Sequence, residues 1–131
     1  MIMGTGTQLG RVRGLGAAKH GPHHWWHQRL TAGGNLLLVT WLLASIALLP
    51  GHDYASVRQW LSSPWAAVPM LLLVLNTFYH FRLGLQIVIE DYQHGASRTA
   101  LMLLVNFFVI GAGATAVFAI LKIAFTGGSA A

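Results

Sequence analysis

Hydrophobic positions in this chain gather into three long runs, with polar positions confined to the segments between and before them. Residues 30–49 include twenty in a row without a charge, and Pro50-Gly51 ends the run. A second run opens at Pro64 or Trp65 and continues to about Ile89. The third, residues 99–121, holds twenty-three without a charge and is closed by Lys122. About 20 apolar residues in helical form cross the roughly 30 Å hydrocarbon layer. A helix is required because lipid offers no partner to a free backbone N–H or C=O. The pattern therefore predicts an all-α integral membrane protein with three transmembrane helices, at about 30–49, 65–89 and 99–121. These form an anchor over residues 29–125. The residues before it, 1–28, are Gly- and His-rich and basic and read as a surface arm, and 126–131 as a short tail. The connections are short, 50–63 and then the loop 90–98.

Composition agrees with the pattern. The chain of 131 residues is 55% hydrophobic and 8% charged, against about 25% charged in soluble domains. A water-facing surface could not be covered by so little charge. The formal net charge of +5 could suggest nucleic acid, but the basic residues form no stripe interleaved with exposed aromatics, so no nucleic-acid partner is expected. They read instead as topology signals. Arg11, Arg13, Lys19 and Arg29 precede the first run, Arg98 lies in the 90–98 connection, and Arg58 and Lys122 fall on the other side. Five against two places the N-terminus in the cytoplasm or its organellar equivalent. There is no cysteine, which removes disulfides, thiolate metal sites and iron–sulfur ligation. The glycines at Gly4, Gly6 and Gly10 lack the spacing and preceding strand of a nucleotide loop. The long polar lead also argues against a cleavable signal peptide. Gly111, Ala112, Gly113, Ala114 and Ala116 make a smooth patch suited to close helix packing.

The chemistry concentrates in the second run. His80 sits eleven residues ahead of Asp91-Tyr92, which is roughly 16 Å along a helix and so near mid-membrane if Asp91 marks one surface. Eleven steps of about 100° bring His80 and Asp91 to nearly the same face. An imidazole at that depth is a functional-site candidate, because it needs a partner. A lone in-span histidine is most simply hydrogen-bonded to a neighbour. Gly84, one turn later on the same face, adds room for a flat macrocycle, so axial ligation of haem stands beside the simpler reading. Bis-histidine haem b needs two axial imidazoles, and this chain has one deep in a span, so the second would come from another subunit. Asp91 and Tyr92 suit the interfacial belt; a phenol and carboxylate at this depth could also meet a quinone, with protons at hand from water.

Residues 80–92, from His80 through Gly84 to Asp91-Tyr92, closely resemble the second-helix signature of the small hydrophobic membrane-anchor subunit of succinate dehydrogenase (the small cytochrome b chain of that complex). The likeness extends over roughly residues 20–125, and its specific part is that signature. The resemblance implies that His80 is a haem b axial ligand with Gly84 beside it, and that Tyr92, supported by Asp91, binds ubiquinone. It implies, less directly, that His23 and Arg29 lie near the haem propionates. The neighbouring His20, His24 and His27 leave the register of that match open. The pair His23 and His27 at i, i+4 could mimic a metal site, but lacks a carboxylate or a clear third ligand. Trp25 and Trp26 suit an interfacial anchor. Arg82 lies about 200° from His80 and has no assigned role. Implied partners are a second cytochrome b membrane subunit, an iron–sulfur subunit and a flavoprotein subunit. The implied location is the bacterial inner (plasma) membrane, or the mitochondrial one.

The implied activity is that of a subunit of succinate:quinone oxidoreductase performing no succinate chemistry itself. The anchor of a fumarate reductase is an alternative. So is a small transporter or assembly subunit with His80 and Asp91 as a proton relay. A self-contained diheme cytochrome would need further in-span histidines.

Overall fold

The structure, a computed structural model, describes residues 21–127. His20 and the basic residues Arg11, Arg13 and Lys19 lie outside them, as does most of the tail. Within the described residues four helices follow one another: α1 (Gly21–Ala47), α2 (Tyr54–Ser62), α3 (Pro64–Tyr92) and α4 (Gly95–Thr126). Among the described residues there is no strand. Three of the helices, α1, α3 and α4, are long and apolar enough to cross a membrane, which makes this an all-α integral membrane protein.

The helices run past the apolar segments that predict them. Helix α1 begins at Gly21, well ahead of residue 30, and α3 and α4 are separated only by Gln93 and His94. The expected loop over 90–98 is thus mostly helix. Charged positions mark where the apolar run ends, whereas the backbone stays helical until something breaks it. The break here is sharp: Gln93 and His94 are extended and Gly95 takes φ +63°, a left-handed conformation that costs a side-chain-bearing residue energy. The chain reverses within three residues and α4 returns along α3.

The short connection over 50–63 contains α2. Asp53 caps it, accepting from the Ser56 amide at 3.3 Å and the Ser56 hydroxyl at 2.6 Å. Those bonds, the hydroxyl's first, hold the Asp53 carboxyl below its ordinary value. Trp60 and Leu61 turn inward from α2. Leu61 joins Ala67 of α3 and Ile120 of α4 in a small buried cluster. Trp60 stacks on Trp41 of α1 with ring centroids 5.9 Å apart, and Arg58 donates to the Thr126 carbonyl at 3.4 Å. Helix α2 thereby lies across one end of all three long helices.

The long helices do not form a closed bundle. Helix α3 packs against both α1 and α4, while α1 and α4 make no backbone-level contact with each other. Most large apolar side chains face outward, among them Leu37 at 73% and Phe107 at 73% exposure. In a water-soluble chain such a surface would be untenable; here lipid or another membrane chain covers it.

Candidate functional site

Helices α1 and α3 meet along a polar seam in which three positions on α3, spaced at four residues, face three on α1. Asn76 donates from Nδ2 to the Thr31 carbonyl at 2.8 Å and to Asn35 Oδ1 at 2.8 Å. The Thr77 hydroxyl donates to the same Asn35 oxygen at 3.1 Å. One turn on, His80 Nδ1 lies 2.9 Å from Thr31 Oγ1. One turn further, Gly84 faces Gln28: a Cβ on Gly84 would stand 3.6 Å from Gln28 Nε2. The order 76–80–84 against 35–31–28 is that of an antiparallel helix pair. Gly34 allows the close approach, since a Cβ there would come within 3.0 Å of Asn76 Nδ2.

His80 is half-buried, mid-way along α3 and roughly 18 Å from Tyr92 by helical rise. Its Nδ1 is engaged by Thr31, and its Nε2 has no hydrogen-bond partner among the described residues. Thr31, at 6% exposure, is the one buried polar residue described.

Towards the Tyr92 end the seam widens into a cavity of about 530 Å³, lined by His24, Gln28 and Arg29 of α1 and by Gln86, Ile87 and Glu90 of α3. Two buried polar atoms on this wall, His24 Nε2 and Gln28 Oε1, have no hydrogen-bond partner among the described residues. Arg29 lies over the Trp25 ring, 5.0 Å from its centroid. Glu90 accepts from Gln86 Nε2 at 3.1 Å and pairs with Arg98 at 3.1 Å, tying the end of α3 to the start of α4. Beside it a smaller cavity of about 220 Å³ is lined by His23, His24, His27 and Arg82 among others. His23 and His27 approach at 3.2 Å between their Nε2 atoms, with the Tyr79 ring edge-on to His27. Among the described residues no third metal-binding side chain joins this pair.

Asp91 and Tyr92 finish α3. Both are exposed, Tyr92 at 78%, and neither side chain makes a hydrogen bond among the described residues. The structure thus brings His80 and Gly84 onto the α1 face, sets Arg29 on the larger cavity and His23 on the smaller, and leaves Asp91 and Tyr92 at the open rim. Arg82 turns away from His80 and donates from Nε to Asn106 Oδ1 of α4. A charge at this depth demands a polar acceptor, and Asn106 supplies it.

Thr31, Asn35, Asn76 and Gln28 were not singled out by sequence reasoning. A signal for them exists: Asn76 and His80 lie four apart, as do Thr31 and Asn35, so each helix carries a short polar stripe within an uncharged run. What the sequence lacks is the register that sets one stripe on the other.

Three membrane-length helices, a polar seam at half depth and an imidazole with one nitrogen engaged and one open define a class: a small polytopic subunit that carries polar groups inside the bilayer. The family follows from comparison with known proteins. The chain belongs to the succinate dehydrogenase/fumarate reductase transmembrane subunit family, whose model matches residues 3–120. It is 34% identical over 105 residues to the succinate dehydrogenase hydrophobic membrane anchor subunit of Rickettsia bellii, covering 79% of this chain and 84% of that one. To the subunit of the same name from Rickettsia conorii it is 31% identical over 112 residues, 84% and 89% of the two chains. To that of Paracoccus denitrificans it is 27% identical over 111 residues, 85% and 86% of the two. No solved structure matches. The chain is therefore a multi-pass inner-membrane protein and a membrane anchor subunit of this enzyme family.

Proposed function

We propose that this anchor subunit holds haem b through His80 and forms part of the ubiquinone site at Asp91 and Tyr92, in a succinate:quinone oxidoreductase. The observation that carries the reading is the state of His80: Nδ1 is tied to Thr31 while Nε2 has no partner among the described residues. An in-membrane imidazole with an idle nitrogen is costly, and a coordinated iron is the partner that would relieve it. The cavity supports the same reading, since His24 Nε2 and Gln28 Oε1 are buried on its wall without partners among the described residues and Arg29 offers a guanidinium suited to a carboxylate. Gly84 keeps the neighbouring turn of α3 low. His80 would hold the iron axially, Arg29 and His23 would meet the propionates, and the second imidazole would come from the other cytochrome b membrane subunit. When bound, haem b supplies a one-electron store within the membrane.

At the rim, the Tyr92 hydroxyl donates a hydrogen bond to a quinone carbonyl oxygen. The Asp91 carboxylate, open to water, positions the head group and passes protons to it. Quinone reduction takes two electrons and two protons, so a site at the wet end of α3 suits it. The electrons come from the iron–sulfur subunit, fed by the flavoprotein subunit where succinate is oxidised. The distribution of basic residues supports a cytoplasmic location for this end, together with the N-terminus.

The test is the reduced-minus-oxidised absorption spectrum of the purified complex. His80→Ala removes the haem b bands while the other subunits still co-purify; full haem retention in that variant would refute axial ligation.

A further inference from the structure

We infer that the Thr31 hydroxyl is a positioning residue for His80: it fixes which imidazole nitrogen carries the proton, presents Nε2 as the electron-pair donor, and tunes the electron density at the bound iron. The inference rests on the reading of His80 as an axial ligand and adds to it a residue of α1.

The assignment comes from counting hydrogens. Thr31 Oγ1 lies 2.8 Å from the His27 carbonyl oxygen and 3.1 Å from the Gln28 carbonyl oxygen. Both of those atoms can only accept. The hydroxyl has one hydrogen, and an oxygen–oxygen approach of 2.8 Å without a hydrogen between would be repulsive, so that hydrogen points back to the α1 carbonyls. The remaining contact, 2.9 Å to His80 Nδ1, then has the nitrogen as donor. His80 is held as the Nδ1–H tautomer, with its lone pair on Nε2. Ring orientation is set by the same bond, because Thr31 itself cannot move: it is buried at 6% exposure, and its carbonyl is pinned by Asn76 from the turn of α3 before His80.

An imidazole that donates its distal N–H to an acceptor is a more basic ligand. More electron density at the iron favours the ferric state, so the hydroxyl holds the haem's midpoint potential down. Thr31→Val keeps the shape and removes the acceptor.

The experiment is a redox titration of haem b, with ferric low-spin electron paramagnetic resonance, on the detergent-purified complex carrying Thr31→Val, Thr31→Ala or Thr31→Ser. Expected for Val and Ala is a potential shifted upward, with a roughly fivefold rise in the reduced-to-oxidised ratio at fixed poise, the worth of one net hydrogen bond. Displaced g-values from a freed ring accompany it, and Thr31→Ser returns both readouts to the parent's. Assembled complex lacking haem in Val or Ala but regaining it in Ser also supports the role. Parent-like potential and g-values in Val or Ala would overturn it, as would a Ser variant that fails to restore them. Those results would leave axial ligation intact, whereas haem retained in His80→Ala would remove the premise.

Discussion

Asn76 spends one amide nitrogen on two acceptors, the Thr31 carbonyl and Asn35 Oδ1, and Gly34 is the residue that leaves it room. Gly34→Ala places a methyl 3.0 Å from that nitrogen, closer than the amide tolerates without shifting. Overpacking of this kind costs about 1–3 kcal/mol, and here it falls on the contact that sets the α1–α3 register. The expected outcome is a lower thermal midpoint of the purified complex, with haem released earlier on heating than from the parent. A parent-like melting profile would show that the amide can turn aside. At this scale the sequence was informative about residue type and depth. An imidazole in a run of leucines identifies itself, but a threonine four residues before an asparagine does not. Only the facing helix distinguishes Thr31 from the back-bonded Thr40 or Thr115.

Between elements, the α3–α4 contact carries a charge, Arg82, at a depth where the α1–α3 seam carries the neutral Thr31, Asn35 and Asn76. Arg82 and Asn106 meet there, supported by the Phe81–Phe108 rings at 6.2 Å between centroids and by Phe78 against Gly113. Removing the acceptor alone leaves the guanidinium without its hydrogen-bond acceptor on α4, whereas removing both takes the charge away with it. Asn106→Leu therefore lowers the yield of assembled complex more than Arg82→Met combined with Asn106→Leu does. Comparing the two against Arg82→Met alone measures the coupling, and additive losses would mean the pair is not interacting. Existence of the three long helices was readable from charge-free runs. Their ends were not, because helical hydrogen bonding continues through polar residues until Gly95 and the extended pair before it interrupt it. Helix α2 escaped for a related reason. Nine residues carry too little periodicity to announce a helix, although Asp53 three residues before Ser56 and the spacing of Val57, Trp60 and Leu61 are consistent with one.

On the scale of the molecule, α3 packs between α1 and α4 along the membrane span and carries the residues proposed to meet the iron and the quinone. His80 sits within the seam, and Asp91 and Tyr92 stand at its end, exposed, with no partner among the described residues. That exposure fits a site completed by other chains, and it separates two losses. Tyr92→Phe removes a hydroxyl that holds nothing in this fold together, so assembly and haem content stay at parental levels. Quinone reductase activity falls by about tenfold or more, while succinate oxidation with an artificial electron acceptor persists. Unchanged quinone reduction would place the quinone elsewhere. The resemblance in residues 80–92 made these residues legible as candidates. The cavity between Arg29 and Glu90 was not, since it exists only where two helices diverge.

The back-bonded hydroxyl of Thr31 also bears on how the chain is made. Synthesis proceeds from the N-terminus, and early segments organise before later ones exist. Helix α1 must wait in the bilayer for α3 to be translated, carrying polar groups destined for it. Thr31 waits at little cost, its hydrogen already given to the His27 carbonyl one turn back. Asn35 has no such local refuge among the described residues, and its Oδ1 gains donors only when Asn76 and Thr77 arrive. The nascent first helix thus carries one unmet demand at mid-depth, and only a correctly registered second span can answer it.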